Sequence, residues 1–349
     1  MAQIALANKI VGDSCPSFLI AEVGQSHDGS LGSAHATLDA VADSGFDAVK
    51  FQMHIAREES TLDEPFRINF SPQDSTRYAY WKRISFDFLM WKELKSHAED
   101  RGLMFLCTPF SLKAVEWLKR LDVSAWKIGS GDIEFGEMID AICETDKPIL
   151  ASTGMASWSD TDRLVERLRR TTEQVGLMQC TSLYPTPLSK VGLNVIGEMK
   201  RRYDIVSGLS DHSGSSYPSW AAIAEGAEIL EVHCCFDKRQ FGPDTSSSLT
   251  FQELETIAGF RDALFTMRKN RVDKNTLSAE FEAQRSLFSR SIGLKRDLKA
   301  GSILTESDLA LKKPAGGIPP SKWSSVVGRK LCRDVDSKRL LTEEDLQVD

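Results

Sequence analysis

Two of the chain's six histidines, His212 in GLSDH and His233 in EVHCCF, close short apolar runs. A pair of neutral imidazoles from neighbouring strands can hold one divalent ion and leave further positions for water and substrate. That open arrangement suits a Lewis acid that polarises an aldehyde oxygen. His27 and His54 could compete as ligands, and His97, on a helical stretch, reads as structural. Lys50 in AVKFQM and Lys127 in AWKIGS lie inside apolar runs. Two buried ammonium groups without partners would be costly, so a phosphate or carboxylate is expected between them. Hydroxyls of Thr108, Ser130, Ser152 and Ser210 would complete that cradle. A single lysine could instead form a Schiff base, but the second lysine and the histidine pair favour anion binding. Glu22 is the leading general acid/base, with an ion pair to Lys50 as its alternative. Asp244, in QFGPDTSSS, would accept from sugar hydroxyls or be an ordinary turn aspartate.

These side chains need a scaffold that brings them to one place. Eight short β-rich runs alternate with amphipathic helical stretches: 18–23, 48–53, 104–110, 125–130, 148–154, 175–182, 205–212 and 229–236. After the second run, Phe88, Trp91, Leu94 and Ala98 recur at helical spacing and Gly102 supplies a stop. Apolar strands separated by helices imply a parallel sheet buried on both faces. Eight units predict a closed (β/α)8 TIM barrel, an α/β fold, and no GxGxxG follows the first strand. The chemistry of such a barrel sits at the carboxyl ends of its strands. There the sequence places Glu22, then Lys50 with Gln52, Thr108, Lys127 with Ser130, and Ser152. Ser182 with Tyr184, Ser210 with His212, and His233 complete the ring. Residues 3–17 read as a hairpin plugging the amino-terminal end. Residues 54–86 form a long charged and aromatic connection with a lid or binding role. Residues 1–270 make the barrel domain, 271–285 a polar linker, and 286–349 a small module of short segments and turns.

The net charge of −7 argues against nucleic acid as the main partner. Residues 286–349 carry twelve Lys/Arg against nine Asp/Glu, which leaves −10 for residues 1–285. A basic tail beside an acidic body would suit a segment that reaches over a site for anionic substrates, or merely two solvated surfaces. Seven cysteines in largely apolar contexts read as reduced buried thiols. No apolar run spans a bilayer, and MAQIALANKIVGD lacks the pattern of a secretory leader. A cytoplasmic enzyme with no membrane partner is expected.

In order along the chain, IAEVGQSHDGSLG, VKFQMH, TPFS, WKIGSGD, STGM, CTSLYPTP, GLSDHS, EVHCCF and FGPD resemble the sialic acid synthase family. SRSIGLKRDLKAGSILTESDLALKKPAGGI is similar to the antifreeze-like (SAF) domain that ends those enzymes. The resemblance implies condensation of phosphoenolpyruvate with an N-acylated hexosamine and water to a nine-carbon 3-deoxy-2-keto sugar acid plus phosphate. N-acetylmannosamine is the expected acceptor, with a legionaminic-type precursor as the alternative. A Schiff-base lyase or a non-catalytic glycan-binding protein would be the readings outside this class. The implied cofactor is a divalent metal on His212 and His233, manganese first, then magnesium or cobalt. Lys50, Thr108, Lys127, Ser130, Ser152, Ser182, Tyr184 and Ser210 would meet phosphoenolpyruvate; Glu22, Gln52 and Asp244 would face the sugar and the reacting carbons. The resemblance also implies a domain-swapped homodimer whose tail covers the partner's site. The chain departs from the family in three places. Lys313 replaces a sugar-contacting arginine and loses its planar fork. Asp132, grouped with Glu22, Lys50 and Lys127 as catalytic, is a shorter acid in GSGDIEFG, where Glu134 and Phe135 replace two amides. Ser182 replaces an asparagine.

Overall fold

The computed structural model describes residues 2–348. It has two compact units, Met1–Lys269 and Asn270–Asp349. The first opens with an antiparallel hairpin of β1 (Gln3–Leu6) and β2 (Lys9–Gly12). Eight parallel strands follow, each succeeded by a helix. They are β3 (Phe18–Gly24), β4 (Ala48–Met53), β5 (Met104–Pro109) and β6 (Trp126–Ile128), then β7 (Ile149–Ser152), β8 (Val175–Cys180), β9 (Val206–Asp211) and β10 (Ile229–His233). Their order is β5-β4-β3-β10-β9-β8-β7-β6, and the outermost two lie side by side, which closes the (β/α)8 barrel.

Every residue of β3, β5, β8, β9 and β10 is buried, as strands covered on both faces must be. One face packs into the shell shared with the helices, around Leu19, Val49, Phe105, Leu177 and Leu230. The other fills the barrel with Ile20, Ala48, Leu106, Leu150, Met178, Val206 and Ile229. Ile4, Leu6 and Val11 of the hairpin join this inner core, so the hairpin plugs the barrel. Helix Phe88–Asp100 shows how local signals set an element. The Asp87 carboxylate accepts from the amides of Leu89 and Met90, while Trp91, Leu94 and Ala98 face inward. Gly102 ends the turn at φ 75°.

Several strands are shorter than their apolar runs. Beyond Ile128 the chain bends, with the Asp132 amide donating to the Gly129 carbonyl at 3.1 Å. Residues 54–86 are not a bare loop: helices Ala56–Glu59 and Arg77–Ile84 fold around a cluster of Ala56, Tyr80, Trp81 and Ile84.

In the second unit, the segment 271–285 expected as a polar linker holds helix Lys274–Glu280 and the start of helix Glu282–Phe288, neither of which buries a residue. With no apolar stripe, periodicity could not reveal them. β11 (Ser291–Leu294) and β12 (Leu309–Lys312) pair antiparallel over a small core that includes Ile292, Leu304, Leu331 and Leu341. Such a core is thin. Ion pairs on the buried Asp345 supplement it, with the half-exposed Arg339 guanidinium on both Asp345 oxygens at 2.7 and 2.8 Å. Among the described residues no helix is long and apolar enough to cross a membrane.

Candidate active site

Strand register decides which side chains meet. In-register parallel partners point the same way, and so do residues two apart in one strand. Glu22 stands opposite both Lys50 and His233, Gln52 opposite Thr108, and Ser210 opposite Glu231. The register slips between Glu22 and Gly24. Gly24, at φ 54°, turns its amide back to donate to Glu22 Oε1 at 2.7 Å. These residues line one cavity of about 550 Å³ at the carboxyl ends of the strands. Glu22, Lys50, Gln52, Thr108, Lys127, Ser130, Asp132, Ser152, Ser182, Tyr184, Ser210, His212, His233 and Asp244 all border it.

Between the two lysines, where a phosphate or carboxylate is expected, the chain itself places a carboxylate. Glu231 stands between them, 3.6 Å from the Lys50 ammonium and 3.7 Å from that of Lys127, and Glu22 contacts Lys50 as well. A fold cannot hold two dry ammonium groups unbalanced, so it carries its own carboxylates. Burial pushes the Glu231 carboxyl up, but Lys127 and Lys50 outweigh it and leave the group ionised well below its ordinary range. Burial lowers Lys50 to about 8, Glu231 opposing and Lys127 adding to the fall. At 3.6 and 3.7 Å the Glu231 pairs are longer than hydrogen bonds, so donors remain. Lys50 also donates to Thr108 Oγ1 at 3.2 Å, and Lys127 to Ser152 Oγ at 2.8 Å. Ser210 donates to Glu231 Oε1 at 3.1 Å, while Glu231 Oε2 is buried without a hydrogen-bond partner. Glu231 precedes His233 by two residues in the same strand, which is the signal that would have found it.

Beside this charged group lie the two histidines, with ring centroids 5.2 Å apart. Burial first, then His233, takes His212 down to about 3; burial first, then Lys50, does the same to His233. Both are neutral near pH 7. His212 Nδ1 faces the Thr181 carbonyl at 3.3 Å, so that nitrogen carries the hydrogen. Its Nε2 is then the acceptor, taking the Tyr184 hydroxyl at 3.1 Å. Nearby, the Ser130 hydroxyl accepts from the Gly154 amide at 2.9 Å. A Cβ on Gly154 would fall 2.6 Å from Ser182 Oγ and 2.9 Å from Ser130 Oγ, so a side chain there would displace these hydroxyls from the strand end.

Asp132 lies at the rim. Burial, with Glu59 adding and Lys127 opposing, raises it to about 6. Residues 54–86 supply further walls through Phe66, Arg67, Arg77 and Trp81. Arg67 donates to Pro243 O at 2.9 Å and Asp244 Oδ1 at 2.7 Å, and its guanidinium carbon lies 3.9 Å from the Tyr184 ring centroid. Nothing periodic singles out Arg67, and Asp244 shares one oxygen with it.

The remaining candidates lie elsewhere. His27 is buried against Phe86 and accepts from the Gly29 amide. His97 sits on an outer helix beside His35 and Asp39. Cys234 and Cys235 are buried packing residues, and all seven cysteines are free, with Cys332 exposed. Glu134 is exposed. Lys313, in the second unit, is also exposed, with its ammonium 5.2 Å from the Phe288 ring centroid.

The NeuB family model matches residues 37–270, and the SAF domain model matches residues 289–347. The N,N'-diacetyllegionaminic acid synthase of Campylobacter jejuni is 30% identical, over 94% of this chain and 99% of its own. Human N-acetylneuraminate-9-phosphate synthase is also 30% identical, over 96% of this chain and 94% of its own. Among solved structures, the N-acetylneuraminic acid synthetase of Leptospira borgpetersenii superposes with a TM-score of 0.70 at 26% identity. That match covers 82% of this chain and 97% of the other.

Proposed function

We propose, on the footing that the chain belongs to the NeuB family and carries an SAF domain, that it is a nonulosonate synthase acting on phosphoenolpyruvate. Its acceptor is an N-acylated hexosamine, N-acetylmannosamine or a 2,4-diacetamido relative, and its products are a nine-carbon keto sugar acid and phosphate. The observation that carries this reading is the single cavity that joins the Lys50–Glu231–Lys127 group, a ring of hydroxyls and a neutral histidine pair.

The donor set suits a divalent cation. Two uncharged imidazoles offer lone pairs, and the second nitrogen of His212 is already engaged by a backbone carbonyl, as in metal-binding histidines. Among the described residues no group of three or more His, Cys, Asp or Glu is placed to hold a metal. His212 and His233 would therefore leave the other positions to water and sugar. Manganese, or magnesium or cobalt in its place, supplies Lewis-acid polarisation of the aldehyde oxygen when bound.

The chain's own side chains do the rest. Lys50 and Lys127, with Thr108, Ser130, Ser152 and Ser210, orient the phosphate and carboxylate of phosphoenolpyruvate, Glu231 keeping the lysines charged yet balanced. C3 of the donor then attacks the sugar aldehyde carbon, and the new alkoxide takes a proton. Water adds at C2, and phosphate departs with the bridging oxygen. Glu22, beside Lys50 and opposite His233, is placed to move protons at these carbons. Lys50, near 8, can also give a proton close to neutral pH. Gln52, Asp132 and Asp244, which border the cavity, would meet the sugar, and Ser182 and Tyr184 would lie beside the phosphoenolpyruvate. In a domain-swapped homodimer, Lys313 of the basic tail would reach the partner's sugar.

Phosphate release, assayed with manganese and a panel of N-acetylmannosamine, its 2,4-diacetamido analogue and mannose, tests the reading. Release with one N-acylated sugar, lost on chelation, is expected. Release that ignores both sugar and chelator would refute it.

A further inference from the structure

We infer that Glu59, His54 and Gln25 are positioning residues that fix which end of the Gln52 amide faces the cavity. Gln52 thereby presents its NH2 to an accepting oxygen of the sugar, an acyl carbonyl or hydroxyl oxygen. The inference rests on the proposed reaction for the identity of the ligand, and on the hydrogen bonds of this cluster for everything else.

The His54 ring is clamped flat between Trp81 and Phe110, at centroid distances of 3.7 and 4.3 Å and interplanar angles of 11° and 13°. Only its two nitrogens, in the ring plane, are left to choose partners. Nδ1 lies 3.0 and 3.2 Å from the two oxygens of Glu59, whose side chain is 9% exposed. An ionised carboxylate can only accept, so the ring hydrogen sits on Nδ1. Nε2 is then an acceptor, and the Gln25 amide nitrogen stands 3.1 Å from it. The same Gln25 nitrogen donates its other hydrogen to Gln52 Oε1.

Gln52 Oε1 thus points at Gln25 and His54, and its NH2 is turned to the cavity that Gln52 lines. Oε1 also lies 3.1 Å from His54 Nε2, a contact that becomes a hydrogen bond only if the ring is doubly protonated. That state leaves the amide the same way round. Turning Gln25 over would require the ring hydrogen on Nε2, with a bare Nδ1 facing the Glu59 carboxylate. Amide orientation is ordinarily ambiguous, but here Glu59, which cannot be turned over, sets the sense of the whole chain. No step of the reaction described above uses these three residues.

Steady-state kinetics and imidazole 15N spectra test this together. Glu59→Ala should raise the acceptor KM roughly tenfold, the scale of one misplaced hydrogen bond, while the phosphoenolpyruvate KM stays within about twofold. Glu59→Gln, whose amide oxygen can still accept from Nδ1, should restore most of the acceptor affinity. In the unaltered protein the 15N signals of His54, identified by their loss in His54→Gln, should show hydrogen on Nδ1. An unchanged acceptor KM in Glu59→Ala, an equal rise in both KM values, or a neutral ring protonated on Nε2 would overturn the inference. The spectrum decides it even if no sugar supports turnover, an outcome that would count against the proposed reaction instead.

Discussion

At the scale of single residues, the cavity keeps opposite charges in balance and leaves one carboxyl poorly served. Asp132 is raised from 3.8 to about 6 by burial, with Glu59 adding to it. The folded chain therefore prefers its neutral form. The stability linked to it is complete below pH 3.8 and is lost as pH rises through about 6, by about 3 kcal/mol. Asp132→Asn should melt close to the unaltered protein at pH 4 and several degrees above it at pH 8. Calorimetry at the two values measures this, and an equal offset at both would contradict it. The same scale shows what the sequence could and could not say. Lys50, Lys127, His212 and His233 were legible because a charged or titratable side chain inside an apolar strand is conspicuous. Glu231 is equally inside a strand, but that it stands between the two lysines depends on strand register, which the sequence does not display. Sequence alone calls for an anion between the lysines, and the fold itself supplies one as a carboxylate. Gln25, though inside IAEVGQSHDGSLG, and Glu59 carry nothing that marks them as supports of Gln52. They matter only through His54, and which residues border a ring clamped between Trp81 and Phe110 is a tertiary fact.

Among the elements, the barrel strands and their helices follow from local causes: continuous apolar runs, N-caps such as Asp87 and Ser157, and stops such as Gly102. Segment 54–86 does not. Its aromatic residues are visible in sequence, but that Tyr80 and Trp81 form a core of their own depends on packing against residues such as Phe66 and Phe70. Arg67 ties this segment to the strand ends through Pro243, Asp244 and the face of Tyr184. Arginine over an aromatic face contributes roughly 0.5–2 kcal/mol, a local rather than a global anchor. Arg67→Ala should accelerate amide exchange across residues 61–76 several-fold while the strands keep their protection. No change in that window would show that the Tyr80 cluster alone holds the segment. Helices Lys274–Glu280 and Glu282–Phe288 were illegible for the opposite reason, since they bury nothing that a pattern could register.

For the molecule as a whole, a closed parallel barrel explains why residues as distant in sequence as Glu22 and His233 become neighbours. The eight-unit alternation made that much legible, whereas the charge balance inside the mouth depends on register. In the proposed reaction this mouth joins phosphoenolpyruvate to a sugar with cleavage of the donor's C–O bond. The most direct measurement follows the bridging oxygen, using phosphoenolpyruvate labelled there with 18O, manganese and the N-acylated hexosamine that supports turnover. With C–O cleavage the label leaves in the phosphate and the organic product gains the donor's three carbons. Label retained in the organic product would mean cleavage at phosphorus, and would contradict the proposed reaction.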